Sequence, residues 1–231
     1  MLHANDRLRV CADSHEQAVV IDDEYGMIPL SKNDHDVKYI VDIGGNLGSF
    51  GVRARMSFPE AKIILCEPDP EVMGYAKENN PSDQMIFVEK AVVGTDDKEV
   101  TFNICDWAGN SHVNGHFRWD LFAPMGSKFN HAITVPAITL NELIDENNFP
   151  RIDILKIDCE GLEGEILQRF KPYMSVVRHF RGEWHGDADI PLIEDALKDT
   201  HNVHFDRKFT THGDIVAELK PELLEAQNKL V

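Results

Sequence analysis

The sequence predicts an α/β fold built on a doubly wound, mostly parallel sheet. Short apolar runs of strand length alternate with helix-like segments, which is the pattern of strands joined by crossover helices. The first run, residues 39–43, breaks directly into a glycine-rich turn that begins at Gly44. The second run ends in Glu67, 23 positions after Gly44. A glycine turn after one strand and an acid at the tip of the next are typical of a nucleotide pocket at a sheet edge.

The N-terminal third contains a cover segment and the first crossover. Residues 1–37 are polar and broken, and we expect them to cover one end of the sheet, with a hairpin around residues 25–28. The apolar residues between Phe50 and Phe58 alternate, which favours a strand by period alone. Because two parallel strands need a crossover, we predict a helix there instead.

The middle of the chain continues the alternation and then becomes irregular. Asp69 and Pro70 indicate an N-cap followed by proline at the first helical position, and residues 85–88 form the third strand. The alternation of residues 99–104 indicates an antiparallel partner. Residues 106–132 are rich in Gly, Asn, His and aromatics, and a loop of that length is usually a lid or binding loop.

The C-terminal part returns to regular elements within what we predict is a single domain, residues 38–231. Strands are predicted at 133–138, 152–158 and 175–183, helices at 140–147, 161–170 and 191–198, a terminal hairpin at 203–205 and 214–219, and a last helix from Pro221.

Composition narrows the function classes. The formal net charge of −17 repels phosphate backbones and anionic lipid, so we expect neither nucleic-acid nor membrane partners. The four cysteines are scattered without zinc or disulfide spacing, and no leader or membrane-length apolar run is visible. We therefore expect a cytoplasmic protein, and the sequence leaves its oligomeric state open.

The glycine turn indicates which cofactor the pocket binds. A dinucleotide site needs Gly-x-Gly-x-x-Gly, and neither register of this turn supplies it, since Ile43 or Asn46 stands where a glycine should. Asp42 would repel a pyrophosphate but suits a cation such as the amino group of S-adenosylmethionine. The alternatives are a nicotinamide-dependent oxidoreductase and a cofactor-binding domain without catalysis.

Several segments together resemble one known family. The motifs at residues 42–48, 67–68, 140–143 and 153–163 are similar to those of the FkbM family of S-adenosylmethionine-dependent methyltransferases. The resemblance implies the seven-stranded class I methyltransferase sheet with an antiparallel C-terminal strand. It also implies a set of cofactor-binding residues: Asp42, Gly44, Gly45, Asn46 and Gly48 around the methionine part, Glu67 and Pro68 at the ribose, and Lys90 and Ala91 beside the adenine.

Catalytic candidates lie at the ends of the fourth and fifth strands, where open α/β sheets bind ligands. Lys156 and Asp158 share one face of their strand, and Glu160 follows. A structural ion pair for Lys156 and a helix-capping role for Glu160 are the alternatives. Glu183 and His185 end the fifth strand; His185 is a candidate base or an ordinary loop residue.

The irregular loop offers weaker candidates. Asn110, Ser111 and His112 are placed to contact acceptor or cofactor. His112, His116 and His131 show no metal-ligand spacing, so we predict no metal site, with a divalent ion on Asp158 and Glu183 as the minor alternative. The resulting hypothesis is methylation of a hydroxyl on a small molecule or saccharide.

Overall fold

A computed structural model describes residues 13–115, 129–208 and 211–228. Its main sheet has seven strands: β1 (Tyr39–Ile43), β2 (Lys62–Cys66), β3 (Met85–Val88), β8 (Ile152–Ile157), β9 (Val177–His185), β10 (His201–Phe205) and β11 (His212–Leu219). The order is β10-β11-β9-β8-β1-β2-β3. Neighbours from β3 to β9 are parallel, and β11 is antiparallel to both β9 and β10. The predicted doubly wound sheet and its antiparallel C-terminal strand are confirmed.

The central strands are buried on both faces. All six residues of β8 and four of the five in β1 are buried, which explains why these segments are continuous apolar runs rather than alternating ones. The chain leaves β1 towards β2 on one side, while β8 pairs on the other side of β1. This reversal of direction opens a crevice at the carboxyl ends of the strands, where ligands of such sheets bind.

The helix α1 (Met27–Asn33) precedes β1, and α7 (Pro221–Asn228) follows β11. Between the strands lie α2 (Ser49–Ser57), α3 (Pro70–Asn79), α4 (Leu140–Asn147), α5 (Glu163–Phe170) and α6 (Ile190–Leu197). The predicted helix after the glycine turn is confirmed as α2. Phe50 and Ala54, one helical turn apart, are buried against the sheet. The Asp69 carboxylate caps α3 as predicted, accepting the backbone N–H of Glu71 at 2.9 Å.

A second, four-stranded sheet includes residues 112–113 and 129–132 of the predicted irregular insertion. Its order is β4-β7-β5-β6, with β4 (Ala91–Val92), β5 (Glu99–Cys105), β6 (His112–Val113) and β7 (Phe129–Ile138). The antiparallel partner expected for residues 99–104 is β7. Residues 129–132, predicted as loop, belong to that strand because they pair with β5. Residues 116–128 of the expected insertion lie outside the described residues.

The hairpin predicted around residues 25–28 is wrong. Gly26 adopts a φ of +68°, and α1 begins at the next residue. The Asp23 carboxylate accepts the backbone N–H groups of Met27 and Ile28 at 2.9 and 2.8 Å. It therefore caps α1, a helix that the sequence pattern did not predict. This helix and the preceding π-helical turn, Glu16–Ile21, pack with α2 against one face of the main sheet.

The C-terminal strands lie close to their predicted positions. The fifth parallel strand begins two residues later than predicted, because residues 171–176 form a 3-10 helix, and it extends to His185. The terminal hairpin is confirmed as β10 and β11. None of the described helices has the length and apolar character needed to cross a bilayer.

Candidate active site

A cavity of about 280 Å³ opens at the carboxyl ends of the parallel strands. One side of it, here called the β1–β3 wall, consists of residues that follow β1, β2 and β3: Gly44, Gly45, Asn46, Glu67, Pro68, Lys90 and Ala91. The opposite side, the β8–β9 wall, consists of Lys156, Asp158, Glu160, Glu183 and His185. Twelve of the fourteen residues predicted for the site therefore line one cavity.

The glycine turn fits between the ends of β2 and β8 because its first two residues lack side chains. A Cβ on Gly44, which has a φ of +73°, would lie 1.8 Å from the Asp158 carbonyl oxygen. A Cβ on Gly45 would lie 2.5 Å from the Leu65 side chain. Both backbone N–H groups donate to the Cys66 carbonyl, at 3.1 and 2.9 Å. The glycines thus let the turn approach neighbouring strands as closely as it does.

Asp42 and Gly48, the other two predicted residues, do not line the cavity. Asp42 is completely buried beneath the turn, with its carboxylate 3.2 Å from the Lys156 ammonium. A Cβ on Gly48 would meet the Asn80 side chain at 2.3 Å, so this glycine serves the packing of α3. Asp42 therefore faces a cation of the protein itself.

Lys156 connects the two walls from below. Its ammonium donates to the Gly44 carbonyl at 2.7 Å and lies 3.8 Å from the Asp158 carboxylate. Burial alone would lower the pKa of Lys156, but the carboxylates of Asp42 and Asp158 raise it. Burial raises the pKa of Asp42, and the ammonium opposes that rise. The arrangement matches the structural ion pair considered for Lys156, with a second use in fixing the glycine turn.

Glu67 ties β2 to the glycine turn. Its two carboxylate oxygens accept the backbone N–H groups of Asn46 and Asp69, at 3.0 and 2.9 Å. Burial raises the pKa of Glu67 to about 7, and these donors limit the rise. A carboxylate held by backbone at this edge of the cavity has the position that nucleotide-binding α/β folds use for a ribose.

The β8–β9 wall concentrates carboxylates around one imidazole. His185 Nδ1 lies 3.0 Å from Glu163, and Nε2 lies 3.6, 3.6 and 4.0 Å from Glu160, Glu183 and Asp158. Its side chain is only 5 % exposed. Burial alone would lower the pKa of His185, but the carboxylates raise it well above its ordinary value. The surroundings therefore favour the imidazolium form, in which both ring nitrogens carry a proton and Nδ1 donates to Glu163.

The same crowding shifts the pKa values of the carboxyl groups in opposite directions. Burial raises the pKa of Glu160 to about 8 and raises that of Glu183 well above its usual range. For Glu163 and Asp158, burial also acts to raise the pKa, but His185 and, at Asp158, first of all Lys156 lower it below the ordinary value. The wall thus contains ionised and protonated carboxyl groups side by side, which is a frequent property of catalytic sites.

Glu160 occupies a strained turn. Its φ is +62°, in the left-handed region that residues other than Gly, Asn and Asp rarely adopt. Glu163 fixes the turn that leads into α5, because its carboxylate accepts the N–H groups of Cys159 and Gly161 at 2.8 and 3.0 Å. The capping role considered for Glu160 is not observed: the N–H of Gly164 in the first turn of α5 donates to the Asp189 carboxylate at 2.9 Å.

Two segments cover the cavity: the N-terminal part, which was expected as a cover although none of its residues was assigned to the site, and the start of the predicted lid or binding loop. The first comes from the N-terminal part and includes Ser14, His15, Glu24 and Tyr25; the second is residues 107–111. His15 Nε2 lies 2.9 Å from the Asn46 side-chain nitrogen, and the Tyr25 hydroxyl donates to Asp158 at 3.0 Å. No local sequence pattern around His15 or Tyr25 predicts these contacts, because they join residues that are far apart in the chain.

The candidate residues of the predicted irregular loop lie in different positions relative to the cavity. Asn110 and Ser111 line the cavity as expected. The ring of His112 is buried behind it, with Nδ1 2.9 Å from the Asn110 carbonyl; His131 lies in β7, and His116 falls outside the described residues. Among the described residues, ligand atoms suited to a metal converge instead at Asp158, Glu183 and His185 and at Glu24, Glu183 and Asp214. In the second group the Lys208 ammonium lies 2.6 Å from Glu24 and 2.9 Å from Asp214.

Comparison with known proteins identifies relatives of this chain. The family model of the methyltransferase FkbM domain matches residues 42–221. The 2-O-methyltransferase NoeI of Sinorhizobium fredii (strain NBRC 101917 / NGR234) is 26% identical over 170 residues, which cover 68% of this chain and 66% of that protein. Methyltransferase 1 of Beauveria bassiana (strain ARSEF 2860) is 22% identical over 179 residues, covering 72% and 70%.

A solved structure agrees on the fold. The crystal structure of a putative caffeoyl-CoA O-methyltransferase from Staphylococcus aureus matches 92% of each chain with a TM-score of 0.51 and 12% identity. At that identity the likeness shows the class I methyltransferase fold alone. The family match favours a methyl donor over the nicotinamide cofactor that the sequence left as an alternative.

Proposed function

The chain belongs to the FkbM methyltransferase family, and from this premise we propose that it methylates a hydroxyl group of a small molecule or saccharide. Its cofactor is S-adenosylmethionine. This cofactor supplies a methyl group on a positively charged sulfur, from which a nucleophile can displace a neutral thioether. The protein's own contribution is to bind both partners, align them, exclude water and accept the proton of the hydroxyl.

The β1–β3 wall fits the cofactor by the chemistry of its groups. Glu67 offers carboxylate oxygens that can accept hydrogen bonds from the hydroxyls of a ribose, and Pro68 and Ala91 add apolar surface beside it. Asn46 and the glycine turn present polar backbone towards the adjoining part of the cavity. We therefore propose that the β1–β3 wall binds the adenosine and methionine parts, and that the acceptor approaches along the β8–β9 wall.

The observation that carries the proposed chemistry is the position of Glu160. Its carboxyl group lines the cavity from a strained turn, 3.6 Å from the His185 imidazolium, and its pKa lies at about 8. Strained backbone persists where the surroundings fix it, as they do at many active sites. A base with a pKa near the working pH combines an adequate ionised fraction with a useful affinity for the proton. We assign Glu160 as the general base.

The remaining groups of this wall support that base. Ionised Glu163 holds His185 through Nδ1 and also holds the turn that carries Glu160. The Glu160 carboxylate would accept the proton of the acceptor hydroxyl, while the positive charge of His185 stabilises the buried carboxylates around it. Asp158 remains ionised on the cavity wall and favours a positively charged methyl donor.

Oxygen as the target is supported by one relative. NoeI is a 2-O-methyltransferase by name and shares 26% of its residues with this chain over the matched region. A hydroxyl also explains why a carboxylate base is useful, because an alcohol must lose its proton as the new bond forms, whereas an uncharged amine attacks without that help. Both points favour O-methylation.

The proposal is tested with purified protein, methyl-labelled S-adenosylmethionine and a panel of acceptors. The panel contains methyl glycosides of common hexoses, catechols and the matching amino sugars and aromatic amines. We expect label in one of the hydroxyl acceptors, with the new methyl group on oxygen by ¹³C NMR. Label that enters only the amines, or binding of S-adenosylhomocysteine without transfer to any member, would contradict the proposal.

A further inference from the structure

We propose that Tyr25 is a positioning residue of this site: its hydroxyl binds one oxygen of the Asp158 carboxylate and leaves the other directed at His185. The residue lies ahead of the region that the family model matches, residues 42–221. Its catalytic meaning rests on the proposed function, whereas the hydrogen bond does not.

The geometry separates the two oxygens of Asp158. The Tyr25 hydroxyl donates to Oδ2 at 3.0 Å, and the Lys156 ammonium lies 3.8 Å from that same oxygen. Oδ1 lies 4.0 Å from His185 Nε2. A carboxylate on a single bond can rotate, and the two partners of Oδ2 fix its rotation. The charge of Asp158 therefore stays aimed at the imidazolium on which the β8–β9 wall depends.

Tyr25 is itself held firmly. Its ring is buried and meets the Phe50 ring edge to face, with centroids 5.5 Å apart, and the Lys156 ammonium lies 5.6 Å from its centroid. Asp23, two residues earlier, caps α1 and lies 3.8 Å from the Arg53 guanidinium. Tyr25 thus belongs to the hydrophobic core on that face of the sheet, and its hydroxyl cannot leave Asp158 without disturbing that packing.

The electrostatic surroundings predict what the hydrogen bond does. Titratable groups reach Asp158 from several packed elements: Lys156, Cys159 and Glu160 on its own strand end, Asp42 from β1, Glu183 and His185 from β9, His212 from β11, and His15 and Tyr25 from the N-terminal part. Burial acts to raise the pKa of Asp158, while Lys156, His185 and the Tyr25 hydrogen bond lower it. Loss of the hydroxyl removes one lowering contribution, so the carboxyl should titrate at higher pH.

The test compares Tyr25→Phe with Tyr39→Phe, which removes a hydroxyl at the opposite, amino end of β1, where the ring packs against Phe149. Both replacements keep the ring, so unfolding temperatures check that the core is preserved. ¹³C NMR of aspartate-labelled protein follows the Asp158 carboxyl, assigned by its absence from Asp158→Ala. We expect its titration to move to higher pH in Tyr25→Phe only; an unmoved titration overturns the inference.

Kinetics with the best acceptor of the panel test the functional half. We expect a fall in kcat of roughly 10- to 100-fold in Tyr25→Phe, the size expected for a misaligned group, with the Kd of S-adenosylhomocysteine unchanged. In an Asp158→Ala background the same replacement should cost almost nothing more. Additive losses in the double variant would overturn the positioning role. If the wild type transfers methyl to no acceptor, the proposed function has failed, and the titration alone decides on Tyr25.

Discussion

The two walls of the cavity stabilise their charged side chains in different ways. In the β1–β3 wall, Glu67 accepts two backbone N–H groups, so its binding partners are fixed by the fold. In the β8–β9 wall, four carboxyl groups surround the single imidazolium of His185. Backbone donors cannot move a proton, whereas side chains that share one charge exchange protons readily. The difference indicates that one wall binds and the other takes part in proton transfer.

The largest expected effect comes from Lys156, which supports both walls. Lys156→Met leaves the buried Asp42 carboxylate without its cation, and breaking a buried pair costs about 3–5 kcal/mol. We expect a loss of that size in the free energy of unfolding, measured in urea. Lys98→Met, at an ion pair on the surface, is the control and should leave the unfolding curve nearly unchanged.

A second replacement isolates the cause of that loss. Combining Lys156→Met with Asp42→Asn removes the unpaired charge, and we expect the double variant to recover part of the lost stability. A double variant as unstable as the single one would mean that Lys156 acts by supporting the Gly44 carbonyl rather than by neutralising Asp42.

Glu160→Gln should damage the β8–β9 wall alone. Loss of a general base typically lowers the rate by about 100-fold or more, so we expect kcat to fall by at least that factor while the Kd of S-adenosylhomocysteine stays the same. Glu78→Gln, on the exposed face of α3, is the matched control. A variant with full activity would remove Glu160 from the mechanism.

The pH dependence of kcat tests the assignment of Glu160 as the general base. A base must be ionised to accept a proton, and the pKa of Glu160 is raised to about 8; kcat should therefore increase as the pH rises through that value. The residual activity of Glu160→Gln should lack this increase. An identical rise in the variant would assign the ionisation to another member of the wall.

Glu67→Gln should damage the β1–β3 wall alone, and by less. Replacement of the carboxylate weakens charge-assisted hydrogen bonds, which are worth roughly tenfold in affinity. We expect S-adenosylhomocysteine to bind about tenfold more weakly by titration calorimetry, with kcat at saturating cofactor little changed. Glu89→Gln, whose carboxylate pairs with Lys77 on the surface in the wild type, is the control. If Glu67→Gln bound S-adenosylhomocysteine as tightly as the wild type, the assignment of Glu67 to the cofactor would be wrong.

Sequence patterns predicted the binding elements of this site well, because those elements are local. The glycine turn, Glu67 and the Asp69 cap each lie at the junction of one strand and the next helix, and a strand followed by turn residues marks such a junction. Twelve of the fourteen predicted residues line the cavity for this reason. Asp42 follows the same local pattern, but nothing in its neighbourhood shows that Lys156, over a hundred residues later, has taken its charge.

The short strand β6 and the N-terminal helix α1 were not predicted, for related reasons. The strand β6 has only two residues, and its pairing with β5 is decided by contact rather than by its own alternation. The helix α1 contains a proline and has only seven residues, so its start depends on the Asp23 cap and on burial against the sheet.

The parallel α/β fold, the crevice at the strand ends and the family can be derived from sequence patterns, because hydrophobic period, glycine turns and caps act over a few residues. The ionisation of the site depends on contacts that only the folded chain makes. The charge of His185, the pKa of Glu160 and the hydrogen bond from Tyr25 to Asp158 each depend on groups brought within 4.0 Å from separate parts of the chain. Burial and distance set those energies, and neither can be read from the order of residues.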